Sequence, residues 1–175
     1  LGIDSAVLRE ELRQAALKRR ERVEARPTAL TEVERVLLRA LAITDPEGEA
    51  ARRMVAKAVL EQQEWFEHLG AFPALQALAG RAANDPMEVV EDPAQRALLA
   101  ETLLGESRIP EANEVESALQ ELEERTVESR LRNLRAQIAE AERRGDYTEL
   151  AVLTQQKLDL DRGLRQLQFR KPLHS

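Results

Sequence analysis

Between about Glu111 and Arg144 nothing in the sequence interrupts a helix. Val115, Leu119, Leu122, Val127, Leu131, Leu134, Ile138 and Ala141 recur at steps of mainly three and four. That spacing lays one apolar stripe along an α-helix. Some 30 residues at 1.5 Å each make a rod of about 45 Å, well beyond the ~10–14 residues of an average globular helix. The far end of such a rod must leave any bundle that holds its near end. Arg144-Gly145-Asp146 is then a tight break: glycine suits a left-handed position after a helix, and aspartate caps the next one. Beyond it, Tyr147, Leu150, Leu153, Lys157, Leu160, Leu164 and Leu167 repeat the three-and-four spacing until Pro172. Two such helices joined by so short a loop predict an antiparallel hairpin.

Upstream, the signals are caps and breakers. Residues 5–24 read as a helix on Val7, Leu8, Leu12, Leu17 and Val23, broken by Arg26-Pro27-Thr28. Thr31 and Glu34 match a capping box, opening a core helix on Val33, Val36, Leu37, Leu38, Leu41 and Ile43. Asp45-Pro46 opens the next helix, with Met54, Val55, Ala58, Val59 and Trp65-Phe66 on its buried face and Gly70 as its stop. A short helix is expected around 73–82 and a brief turn at Asn84-Asp85-Pro86. Another helix opens at Asp92-Pro93 and ends at Gly105, and Ile109-Pro110 is extended.

The 43% apolar content is mostly Leu, Ala and Val, aromatics are 3%, and Gly and Pro number 7 each. These are helix formers, with few residues that favour strands. The expected fold is all-α: a helical bundle, then a long helix and a C-terminal antiparallel helical hairpin. The boundaries are a linker helix at 1–28, the bundle at 29–112, the long helix and hairpin at 113–170, and a tail at 171–175. A chain that begins at Leu1 is expected to be a piece of a longer protein.

A search for chemistry finds none. With no Cys there are no disulfides, thiolate metal sites or cysteine nucleophiles. His68 and His174 are about a hundred residues apart and outside any metal-binding spacing; the first reads as a polar helix-end residue and the second as part of the tail. Glu10-Glu11, Glu47 with Glu49, and Glu123-Glu124 are expected on exposed, salt-bridged helix faces. Gly-x-Ser-x-Gly, Gly-rich phosphate loops and Glu-x-x-His are missing. The expectation is a non-catalytic segment with no cofactor or metal. No membrane span or signal peptide is visible. A net charge of -6 opposes nonspecific nucleic-acid binding, and the arginines of the long helix, Arg130, Arg132, Arg135, Arg143 and Arg144, alternate with Glu128, Glu140 and Glu142. Trp65, Phe66 and Phe72 are the one aromatic cluster, expected in the core.

Three stretches, in order, resemble the C-terminal part of bacterial DnaG-type primases. Leu1-Gly2-Ile3-Asp4-Ser5 through Leu12 is similar to the tail of the family's polymerase domain. Leu30 through Leu41 is similar to the E-x-x-L-L-x-x-L helix that opens its helicase-binding domain. Leu131, Leu134, Ile138, Ala141, Gly145, Asp146, Leu150 and Leu153 fit its closing hairpin. The middle, 70–110, carries no signature.

The resemblance implies a module that docks primase onto the N-terminal domain of the DnaB-type replicative helicase, chiefly through the hairpin. Primer synthesis would belong to upstream domains, the location would be the cytoplasmic replisome, and the isolated chain would be a monomer with little nucleic-acid binding. The competing reading is a generic helical hairpin, a coiled-coil scaffold or the short hairpin of excision-repair proteins. Helical spacing places Leu150, Leu153, Leu160, Leu164 and Leu167 on the inner seam of the second hairpin helix. It leaves Tyr147, Gln156, Asp159 and Arg162 outside, so the expected partner contacts are Tyr147, Leu150, Gln156, Asp159, Arg162 and Phe169.

Overall fold

The computed structural model describes residues 29–80, 85–105 and 108–170. The expected helix at 5–24, the linker at 1–28 and the tail with Pro172 and His174 lie outside the described residues.

The first helix, α1 (Glu32–Ala42), is almost entirely inside, with Leu37 and Leu38 fully buried. Its capping box forms as expected. The Thr31 Oγ1 accepts from the Glu34 amide at 3.3 Å, and Glu34 Oε2 accepts from the Thr31 amide and hydroxyl at 2.8 Å each. Glu34 is only 4% exposed, and its other oxygen, Oε1, accepts from the Ala71 amide at 3.0 Å. One buried carboxylate therefore caps α1 and also ties down the chain just ahead of α3 (Phe72–Gly80). Buried backbone donors need such partners.

Two helix boundaries differ from the sequence expectation. Asp45-Pro46 opens a 3-10 turn, Pro46–Gly48, and the α-helix, α2 (Glu49–Glu61), starts only after it. Gly48 is buried against Ile109, whose Cγ2 lies 2.9 Å from where a Cβ would be, so the chain tightens here to let two segments touch. At its other end α2 stops at Glu61 rather than running to Gly70. A 3-10 turn, Gln63–Trp65, follows, and it turns Phe66, Leu69 and Ala71 into the core, where all three are buried. Trp65 is half-buried beside Phe66, ring centroids 6.5 Å apart.

Asp85 caps α4 (Pro86–Val89), accepting from the Met87 amide at 2.8 Å. Asp92 accepts from the Ala94 and Gln95 amides at the start of α5 (Pro93–Gly105), which buries Leu98 and Leu99. No strand occurs among the described residues, so the fold is all-α.

The long helix, α6, runs from Ala112 to Arg144, 33 residues, about 50 Å. Its near part packs on α1 and α2 and buries Val115, Ala118, Leu119 and Leu122. Its far part buries Leu131, Leu134 and Ala141. At the break Gly145 is left-handed, φ 68° and ψ 25°, and its amide is bonded to Ala141 and Glu142 carbonyls. Asp146 then accepts from the Glu149 amide at 3.0 Å and caps α7 (Tyr147–Phe169). The hairpin's own core is Leu134, Ala141 and Leu153, flanked by half-buried Ile138, Leu150 and Leu160. Lower down, Leu167 is buried, and its carbonyl accepts from the Gln120 side-chain amide at 2.7 Å. An ion pair between Arg130 of α6 and Glu64 of the 63–65 turn ties the long helix to the bundle.

Candidate functional site

The hairpin has one strongly apolar side, and it is closed. Leu153 and Leu167 point from α7 into α6, with Leu150, Leu160 and Leu164 half-buried beside them, which matches the inner seam expected from spacing. What faces solvent is then decided by the helical period, since residues three and four apart share a face.

The six expected contact residues fall into three groups. Gln156, Asp159 and Arg162 lie together on exposed turns of α7. Asp159 accepts from the Gln155 side-chain amide at 3.1 Å and pairs with Arg162 at 3.5 Å. Gln156 and Asp159 also line a recess of about 470 Å³ whose apolar residues are Leu134 and Leu160 and whose rim includes Arg130, Asn133 and Gln137. Tyr147 and Phe169 are 81% and 88% exposed but stand at opposite ends of α7, about 33 Å apart at 1.5 Å per residue. Leu150 is half-buried against the hairpin core, so packing engages much of its side chain.

The same three-and-four spacing takes in residues beyond these six. Ala151, Thr154, Leu158 and Arg165 continue the exposed row that begins at Tyr147, and Leu158 is 45% exposed.

Charge divides at the hairpin. From 29 to 124 the sequence holds eight Arg and Lys against twenty Asp and Glu; from Arg125 to Arg170 it holds ten against seven. The hairpin is thus a basic limb on an acidic bundle. At its tip Arg143 pairs with Glu140 and Arg144 with Glu149. Among the described residues Arg132, Arg135 and Arg165 have no ion-pair partner.

Two carboxyls depart from their ordinary behaviour. Glu114 is held down to about 2, first by hydrogen bonds from the Arg108 guanidinium at 2.6 and 2.9 Å and then by the Glu111 amide. Glu123 is pushed up by burial, opposed by Arg170 and reinforced by Glu124. Glu123 and Glu124 are half-buried at the base of the hairpin rather than on an exposed face, because α7 covers this part of α6. Glu47 and Glu49 are exposed as expected, and the Glu10-Glu11 pair lies outside the described residues.

A recess of about 610 Å³ lies where the bundle meets α6. Its lining includes Glu64, Glu67 and His68 on one side and Arg125, Arg130 and Arg132 on the other. Carboxylates face arginines across it, and the hydroxyl residues Thr126 and Ser129 line it as well. No group of three or more His, Asp or Glu suited to a metal occurs among the described residues, and no described helix is long and apolar enough to cross a membrane. No protein-family profile, curated protein or solved structure matches this chain.

Proposed function

We propose that this chain is a protein-docking module, and that its partner is the N-terminal domain of a DnaB-type replicative helicase, onto which it would tether a DnaG-type primase. One observation carries the docking reading. The second hairpin helix keeps large apolar side chains, Tyr147, Leu158 and Phe169, in solvent although its seam with α6 is already filled. A hairpin needs only one buried stripe to fold, and apolar side chains at helical spacing on its outer face support contact with a partner. The identity of the partner rests on the ordered sequence resemblance, above all the Leu30–Leu41 stretch and the Gly145-Asp146 hairpin.

On this reading the bundle is the platform and the hairpin the contact limb. The module itself performs no chemistry and needs no cofactor, and primer synthesis lies in domains upstream. The test is a pull-down of the helicase N-terminal domain by the 175-residue chain, repeated after deletion of 145–175. Capture by the whole chain and its loss on deletion are expected. Undiminished capture after the deletion would remove the hairpin from the interface.

A further inference from the structure

The exposed face of α7 is a single regular row. Tyr147, Ala151, Thr154, Leu158, Arg162, Arg165 and Phe169 follow one another at steps of three or four residues, and all seven are exposed. They lie across the helix from Leu153 and Leu160, so the row is separate from the seam. Its apolar members are spread from one end of the helix to the other. Its charge is uneven. The tip arginines are held by Glu140 and Glu149, whereas Arg165, near the Phe169 end, has no ion-pair partner among the described residues, and Arg162 is 71% exposed beside Asp159.

We propose that this row is a side-on docking strip for an acidic surface on the partner protein. Tyr147, Leu158 and Phe169 are its apolar anchors, and Arg162 and Arg165 meet carboxylates. This rests on the helicase-docking reading and adds the orientation and the chemistry of the partner's face: the hairpin lies lengthwise on it instead of inserting tip first. Charge complementarity selects the occupant, since the limb carries a positive excess while the rest of the described chain is strongly acidic. A single-stranded nucleic acid fits less well. Its stacking platforms bring aromatics together at the spacing of bases, whereas these two rings sit about 33 Å apart with Leu158 and Ala151 between them.

The strip measures about 33 Å by 10–12 Å, under about 400 Å² and roughly half of the ~800 Å² per partner of a standard interface. Binding through it is therefore weak, and its on-rate depends on charge.

The test titrates the helicase N-terminal domain with the 175-residue chain at low and at physiological salt, using wild type, Tyr147→Ala, Phe169→Ala and the double variant Arg162→Glu/Arg165→Glu. All four positions are exposed, and unchanged thermal melts verify folding. Each aromatic truncation is expected to weaken binding roughly tenfold. The double reversal should weaken it at least as much at low salt, by a factor that shrinks as salt screens the charges. Wild-type binding with all variants unaffected overturns the strip and leaves the docking reading standing. Loss in Tyr147→Ala but not in Phe169→Ala means tip-first contact and overturns it as well. Failure of wild type to bind overturns the helicase reading, and the strip's named partner with it. An oligothymidine probe that binds wild type and is lost in the double reversal overturns a protein occupant.

Discussion

Glu34 joins two parts of the bundle through one side chain, so its removal has a calculable cost. Glu34→Ala deletes the acceptor of the Thr31 amide and hydroxyl and leaves the Ala71 amide without its bond from a carboxylate that is 4% exposed. Losing a helix cap costs about 1 kcal/mol, and orphaning a buried donor costs about 1–3 kcal/mol more. The sum is about 2–4 kcal/mol. For a chain of this size 1 kcal/mol moves Tm by roughly 2–4 °C, so a midpoint about 4–16 °C lower is expected. Trp65, the one tryptophan, packs beside Phe66 in the bundle, and its fluorescence follows the bundle while far-ultraviolet circular dichroism follows every helix. Glu34→Gln keeps one oxygen and the length of a capping-box residue, so it should cost about half as much. A shift below about 2 °C in the alanine variant would refute the double role of this carboxylate.

Other perturbations separate the hairpin from the bundle. Leu153→Ala empties the centre of the Leu134–Ala141–Leu153 cluster at about 2–3 kcal/mol; hydrogen exchange should quicken along 147–169 while Trp65 emission is unchanged. Gly145→Ala forces a β-carbon into the left-handed region at φ 68° and should cost about 1–2 kcal/mol, read as a lower helical melting point. Glu114 binds its proton less readily when folded, with its pKa lowered from 4.5 to about 2 by Arg108. Its stabilisation is therefore present above about pH 4.5 and lost as pH falls toward 2. Solvent reaches the pair, Arg108 being half exposed, which keeps the gain to on the order of 1 kcal/mol. Arg108→Gln should flatten that part of the pH–stability curve, measured by urea melts across the range.

The elements governed by local chemistry were legible in the sequence. Thr31 with Glu34, Asp85-Pro86, Asp92-Pro93 and Gly145-Asp146 each carry their own hydrogen-bonding logic within four residues, and each forms its cap or break. The long helix and its partner followed from apolar spacing alone. What spacing could not reach was tertiary. The Pro46–Gly48 turn sets Gly48 against Ile109, some sixty residues away. The early end of α2 reflects the burial of Phe66, Leu69 and Ala71 beyond it. Glu34 was legible as a cap but not as the acceptor for Ala71, a contact across 37 residues. On α7 the period separated the seam, Leu150 included, from the outer face, whereas how far Leu158 stays in solvent depends on packing that spacing does not carry.

Docking through the hairpin is tested most directly by hydrogen exchange on the 175-residue chain with and without the helicase N-terminal domain. Slowed exchange concentrated in 147–169, with Glu32–Ala42 and Pro93–Gly105 unchanged, is the expected result. Protection confined to the bundle helices, with 147–169 exchanging as in the free protein, would contradict it.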